Sequence, residues 1–108
     1  MPRLHVWNHS HPGEVHLPSL MRMQVRYAGQ VQGVGFRATA QAIADRHSAT
    51  GWVRNEPEGT VLLEIQGKDT DVQGALDDLR AAMSHHILSA NAVAIADSPN
   101  EHGFQIAH

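Results

Sequence analysis

The stretch Gly29-Gln30-Val31-Gln32-Gly33-Val34-Gly35-Phe36-Arg37 separates two kinds of periodicity. Upstream, Met21 to Ala28 alternates, with Met21, Met23, Val25 and Tyr27 on one side and Arg22, Gln24 and Arg26 on the other. That is the pattern of a half-buried strand. Downstream, Phe36, Ala40, Ile43, Ala44 and His47 recur at helical spacing, with Gln41, Asp45 and Ser48 opposite. The junction therefore turns a strand into a helix. Its glycines allow positive φ, so successive N–H groups can point into one concavity. The helix start adds unpaired N–H groups and the positive end of the dipole. Gln30, Val31, Gln32, Gly33, Val34, Gly35 and Phe36 thus form a candidate amide cradle for a phosphate-sized anion. Arg37 in the first helical turn opposes the macrodipole at about 0.3–1 kcal/mol. Such local conflicts are expected at functional sites. An anion gripped by the planar guanidinium fork would reverse the sign of the penalty. A glycine turn followed by a solvated arginine has the same spacing, so the loop alone does not choose between the two.

Further along, Thr50 to Asn55 reads as a second strand carrying Trp52 and Val53. Glu56-Pro57-Glu58-Gly59 suits a type I turn, with proline second and glycine fourth. Thr60 to Gln66 returns with Val61, Leu63 and Ile65 inward and Leu62, Glu64 and Gln66 outward. Thr70-Asp71-Val72-Gln73 resembles a capping box, and Val72, Ala75, Leu76, Leu79 and Met83 carry a second helical stripe. Gly74 inside that helix costs about 0.8–1 kcal/mol against alanine. Asn91, Val93 and Ile95 alternate with alanines as a fourth strand, and Phe104 and Ile106 mark a short last one. The order β-α-β-β-α-β, plus a short terminal strand, predicts an α+β fold. It is the split βαβ, ferredoxin-like plan, with two helices on one face of an antiparallel sheet. Pro2, Pro12, Gly13 and Pro18 interrupt any period over residues 1–20, which are expected to form a flexible extension to a domain at 21–108.

The 108 residues suffice for one modest core, and the absence of cysteine removes disulfides, a thiolate nucleophile and Cys-type zinc sites. A net charge of −3 with only 5% aromatic residues argues against a nucleic-acid partner. No run of 18 apolar residues suggests a membrane span, and no signal-peptide pattern opens the chain, so a cytoplasmic location is expected. His5, His9, His11 and His16 lack a second ligand cluster, and no metal is expected there.

Two separated motifs carry a family resemblance. Gly29 to Arg37 resembles the phosphate-cradle signature of acylphosphatases. Gly51-Trp52-Val53-Arg54-Asn55, followed by Gly59-Thr60-Val61 and Gln66-Gly67, resembles that family's second signature. The likeness covers about Met21 to His108. It implies the same ferredoxin-like plan and hydrolysis of a carboxyl-phosphate bond in a small acyl phosphate, giving a carboxylate and inorganic phosphate. By position, Arg37 matches the phosphate-binding arginine and Asn55 the water-positioning asparagine. No metal or organic cofactor is implied, and a monomer is expected. The chain departs from the pattern at His47-Ser48-Ala49, where an apolar residue and glycine are usual. It also lacks Gly-Pro within Ser84–Asn91 and a basic ending at Ala107-His108.

These residue types suit such chemistry. Phosphoryl transfer passes through a loose state with charge on the equatorial oxygens, so it needs fixed donors and an in-line water more than covalent help. Asn55 does not titrate near neutrality, and its amide can only orient a water. A hairpin-flanking asparagine is also common for purely structural reasons. Two rival functions use the same fold: a single-strand RNA-binding sheet, disfavoured by charge and aromatic content, and an anion sensor without turnover.

Overall fold

The computed structural model describes residues 19–108. The extension expected over residues 1–20 falls outside these residues except at its end, where Leu20 already opens the first strand. The elements run β1 (Leu20–Gly29), α1 (Phe36–Arg46), β2 (Thr50–Asn55), β3 (Val61–Lys68), α2 (Asp69–Ala82), β4 (Ile87–Ala94) and β5 (Phe104–Ile106). One five-stranded sheet has the order β4-β1-β3-β2-β5. β1 pairs antiparallel with β3 and β4, and β2 antiparallel with β3. β5 lies parallel to β2, so the sheet is mixed at that edge. Both helices pack on one face, α1 over β2 and β5, α2 over β1 and β3. This is the ferredoxin-like arrangement.

The core follows the alternation. Val25 and Tyr27 of β1, Val53 of β2, and Val61, Leu63 and Ile65 of β3 meet Phe36, Ala40, Ile43 and Ala44 of α1. Val72, Ala75, Leu79 and Met83 close it from α2 and its C-terminal end. The Glu56–Gly59 turn forms as expected, with the Gly59 N–H donating to the Glu56 carbonyl at 3.0 Å. Gly74 sits where His47 crosses from α1, for an added Cβ would meet the His47 ring at 2.9 Å. That ring reaches on to Asp78, Nε2 to Oδ2 2.8 Å.

Two local expectations are corrected. α2 begins at Asp69, and no side chain caps it, so the box at Thr70–Gln73 does not form; instead the Thr70 N–H donates to the Asp69 carboxylate at 2.7 Å. β4 starts at Ile87, well before Asn91. The second face of the sheet is also covered: Arg22 is only 4% exposed and Gln66 only 9%. Residues 95–103 lie across that face and carry the carboxylate that Arg22 needs. The Arg22 guanidinium donates to both oxygens of Glu101 at 2.8 and 3.2 Å and to Glu64 at 3.0 Å. The Thr50 hydroxyl donates to Glu101 at 2.8 Å. The Gln66 amide exchanges bonds with Ser98, accepting from its N–H at 2.8 Å and donating to its carbonyl at 3.1 Å. This strap delivers β5 to the sheet edge.

Burial pushes the Glu101 carboxyl up, but the hydrogen bonds from Arg22 and Thr50 and the charge of Arg22 outweigh it and hold the group below its ordinary value of 4.5. A carboxyl lowered in the folded state stabilises the fold above its unfolded value, and that contribution is lost as pH falls through the folded one. Unfolding free energy, measured with urea, is therefore expected to fall below about pH 4.5. Glu101→Gln should cost about 1–3 kcal/mol at pH 7 and flatten that acid decline. A decline equally steep in Glu101→Gln would assign it to other carboxylates.

Candidate active site

Strand direction decides where the candidate residues meet. β1 and β2 are both antiparallel to β3, so they run the same way and end at the same edge of the sheet. Val61 of β3 faces Tyr27 of β1 on one side and Asn55 of β2 on the other. The loop after β1, the N-terminus of α1 and Asn55 therefore share one end of the molecule. β5 adds a fourth contributor: Val53 aligns with Ile106, and His108, two residues on, lines the same cavity as Asn55.

These parts enclose a cavity of about 340 Å³ lined by Val31, Gly33, Gly35, Phe36, Arg37, Ala38, Asn55, Ile106 and His108. The loop is bent through residues 32–35 and not extended. Gly33 and Gly35 both take left-handed φ, 78° and 81°, and Gly35 is the residue at which α1 begins. No side chain caps α1, and no acidic residue occupies its first turn. Intrahelical bonding starts with the Thr39 N–H donating to the Gly35 carbonyl at 3.0 Å. The N–H groups of Phe36, Arg37 and Ala38 thus have no partner within the helix. They add to the positive field at its start. Phe36 is pinned against Tyr27, with ring centroids 4.9 Å apart at 55°. Its burial fixes the origin of the helix and hence of Arg37. Burial also pushes the Tyr27 phenol up, keeping it neutral.

Arg37 contrasts with the arginines of the sheet. Arg22, Arg26 and Arg54 are each engaged by a glutamate. Among the described residues no carboxylate pairs with Arg37, which faces the cavity half-buried. Asn55 is the second anomaly. Its Oδ1 is buried and accepts no hydrogen bond from the described protein. Leaving such an acceptor unsatisfied costs about 1–3 kcal/mol. Among the described residues no cluster of three or more His, Asp or Glu is arranged to hold a metal ion.

Not every residue of the expected cradle faces inward. Val31, Gly33, Gly35 and Phe36 line the cavity; Gln30, Gln32 and Val34 do not. The Gln30 N–H is spent on the His86 carbonyl at 2.9 Å, and Val34 packs against the core. The Gln32 side chain points to the β2–β3 turn, where its Nε2 donates to the carbonyls of Glu56 at 2.8 Å and Thr60 at 2.9 Å. Ala38, Ile106 and His108 line the cavity without having been singled out from the sequence. The period-2 run Phe104-Ile106-His108 carries the signal for the last two, since it keeps them on the face that Phe104 buries.

Comparison with known proteins follows the same lines. The family model described as Acylphosphatase matches residues 23–106. An acylphosphatase of Geobacillus thermodenitrificans is 38% identical over 90 residues, covering 82% of this chain and 96% of that protein. One from Oceanobacillus iheyensis is 45% identical over 60 residues, where the match spans 56% of this chain and 66% of the relative, just short of two thirds of its length. The crystal structure of acylphosphatase from Bacillus subtilis superposes with a TM-score of 0.73 over 82% of this chain and 99% of that one, at 24% identity, and so supports the fold. No described helix is long and apolar enough to cross a membrane. On the extent of the family match and the near-complete coverage of the Geobacillus relative, this chain belongs to the acylphosphatase family.

Proposed function

We propose that the chain is an acylphosphatase that hydrolyses the carboxyl-phosphate bond of small acyl phosphates through Arg37, Asn55 and the amides that end the β1–α1 loop. The observation that carries this reading is that Asn55, whose Oδ1 is buried and has no partner among the described residues, lines one cavity with an arginine unpaired among those residues and an uncapped helix start. A pure anion sensor needs the arginine and the amides. It has no use for a buried acceptor, which repels an anion's oxygens and suits a proton-bearing guest such as water.

The amides and the guanidinium hold the three phosphoryl oxygens that gather charge. Asn55 Oδ1 accepts from a water and aims its lone pair at phosphorus, opposite the acyl oxygen. The new P–O bond forms as the bond to the carboxylate breaks, and the carboxylate leaves as a weak base without general-acid help. The water's proton passes to a phosphoryl oxygen of the substrate. Ile106, Ala38 and His108 border the acyl end. Nothing in this arrangement requires a resident metal or organic cofactor, and the acyl group is read only at the rim.

The test is turnover of benzoyl phosphate by the full chain. Hydrolysis competitively inhibited by inorganic phosphate supports the reading; phosphate binding without turnover would establish the sensor instead. The route of the proton has its own check. Substrate-assisted proton removal predicts a pH–rate profile with no ascending limb that depends on a protein group. A limb abolished by His108→Gln would reassign proton removal to that ring.

A further inference from the structure

Gln32 sits in the middle of the β1–α1 loop, yet its side chain serves the opposite wall. Its Nε2 donates at once to the carbonyls of Glu56 and Thr60. These two carbonyls also close the hairpin turn, accepting from the N–H groups of Gly59 at 3.0 Å and Glu56 at 2.9 Å respectively. One primary amide thus spans the base of the turn that follows Asn55 directly. Among the described residues, these are the only hydrogen bonds between residues 30–36 and 55–60. Elsewhere the two segments communicate through β3, at the row Tyr27–Val61–Asn55. Beyond the end of the sheet, only the Gln32 amide joins them by hydrogen bonds among the described residues.

We propose that the Gln32 side chain is a positioning residue that fixes the phosphoryl-binding loop at a set distance from Asn55, coupling anion binding to placement of the attacking water. The inference rests on the roles given above to Arg37 and Asn55. Both N–H donors of the amide are used, which sets its plane as well as its position. Phosphorus is located by the loop and the water by Asn55. Their separation is then only as well defined as this bridge. A misplacement near 1 Å in such a pair costs up to about 10²-fold in rate. Binding of the anion itself does not depend on the bridge, because Arg37 and the α1 amides sit on the loop side of it.

The test compares kcat for benzoyl phosphate with the inhibition constant of inorganic phosphate in the full chain. Gln32→Met keeps the side-chain length and removes both donors. Its kcat is expected to fall about 10- to 100-fold while the phosphate inhibition constant stays within about threefold. In the Asn55→Ala background the same substitution should change kcat by less than about twofold, since its effect passes through Asn55. If Gln32→Met does not fold, Gln32→Ser is read in the same way. A kcat within twofold of wild type overturns the proposal. So does a rise in the phosphate inhibition constant that matches the loss in kcat/KM, which would make Gln32 a support of the loop alone. Absence of wild-type turnover would instead overturn the acylphosphatase reading, and an active Asn55→Ala would overturn the role of Asn55.

Discussion

Arg37→Ala is expected to lower kcat/KM for benzoyl phosphate by about 10³-fold or more, the scale of an arginine that meets transferring phosphoryl charge. It should weaken competitive inhibition by inorganic phosphate in the same variant. The expectation rests on Arg37 being the one arginine or lysine among the described residues that line the cavity. Arg22, Arg26 and Arg54 are held by glutamates, mostly on the far face of the sheet, and cannot stand in. Charge alone is not sufficient: Arg37→Lys keeps it but loses the planar fork that addresses two oxygens together, so about a 10- to 100-fold loss should remain. Because no carboxylate pairs with Arg37 among the described residues, neither substitution strands a buried partner. Urea unfolding should move by less than about 0.5 kcal/mol. Loss of activity with unchanged stability is the signature of a residue kept for its ligand. A loss below tenfold in Arg37→Ala would remove the guanidinium from the mechanism.

How much of this was legible in the sequence depends on how local each determinant is. The strand into Gly29, the helix from Phe36 and the hairpin through Glu56–Gly59 each declare themselves within a dozen residues, by period or by turn chemistry, and each is found as read. The loop glycines and Arg37 lie at one such junction, so they too were visible. That Asn55 joins them depends on strand order, which no local pattern encodes; from the residues alone it stood only on the paired family signatures. The burial of Arg22 was not legible, because an arginine at an alternating outward position carries no local sign of it. Its burial is caused by Glu101, 79 residues away, arriving on a segment with no period of its own. The start of β4 was hidden for a related reason. Leu88 to Ala94 lies exposed at the sheet edge, with Leu88 87% accessible, so no buried face imposes an alternation. Gln32 had no readable signal at all. A glycine-rich loop advertises its amides, and nothing in its neighbours says where one glutamine side chain will turn.

Asn55→Ala separates placement of water from binding of phosphate, and its expected result differs from that of Arg37→Ala in phosphate inhibition. kcat for benzoyl phosphate should fall about 10²–10³-fold, the cost of losing one preorganised polar group at a reacting centre. The inhibition constant of inorganic phosphate should stay within about twofold, because the guanidinium and the α1 amides are untouched. Stability should remain within about 1 kcal/mol of wild type, since the substitution deletes an acceptor that has no partner among the described residues. Asn55→Asp sharpens the case. It preserves shape and acceptor, yet it sets a negative charge against the phosphoryl oxygens, so phosphate inhibition should weaken along with turnover. If a water were aimed by some other group, Asn55→Ala would retain most of its rate. If Asn55 were a structural turn residue, alanine would cost stability before it cost kcat. A hundredfold loss of kcat with phosphate inhibition and unfolding free energy both intact is the outcome that assigns Oδ1 to the water.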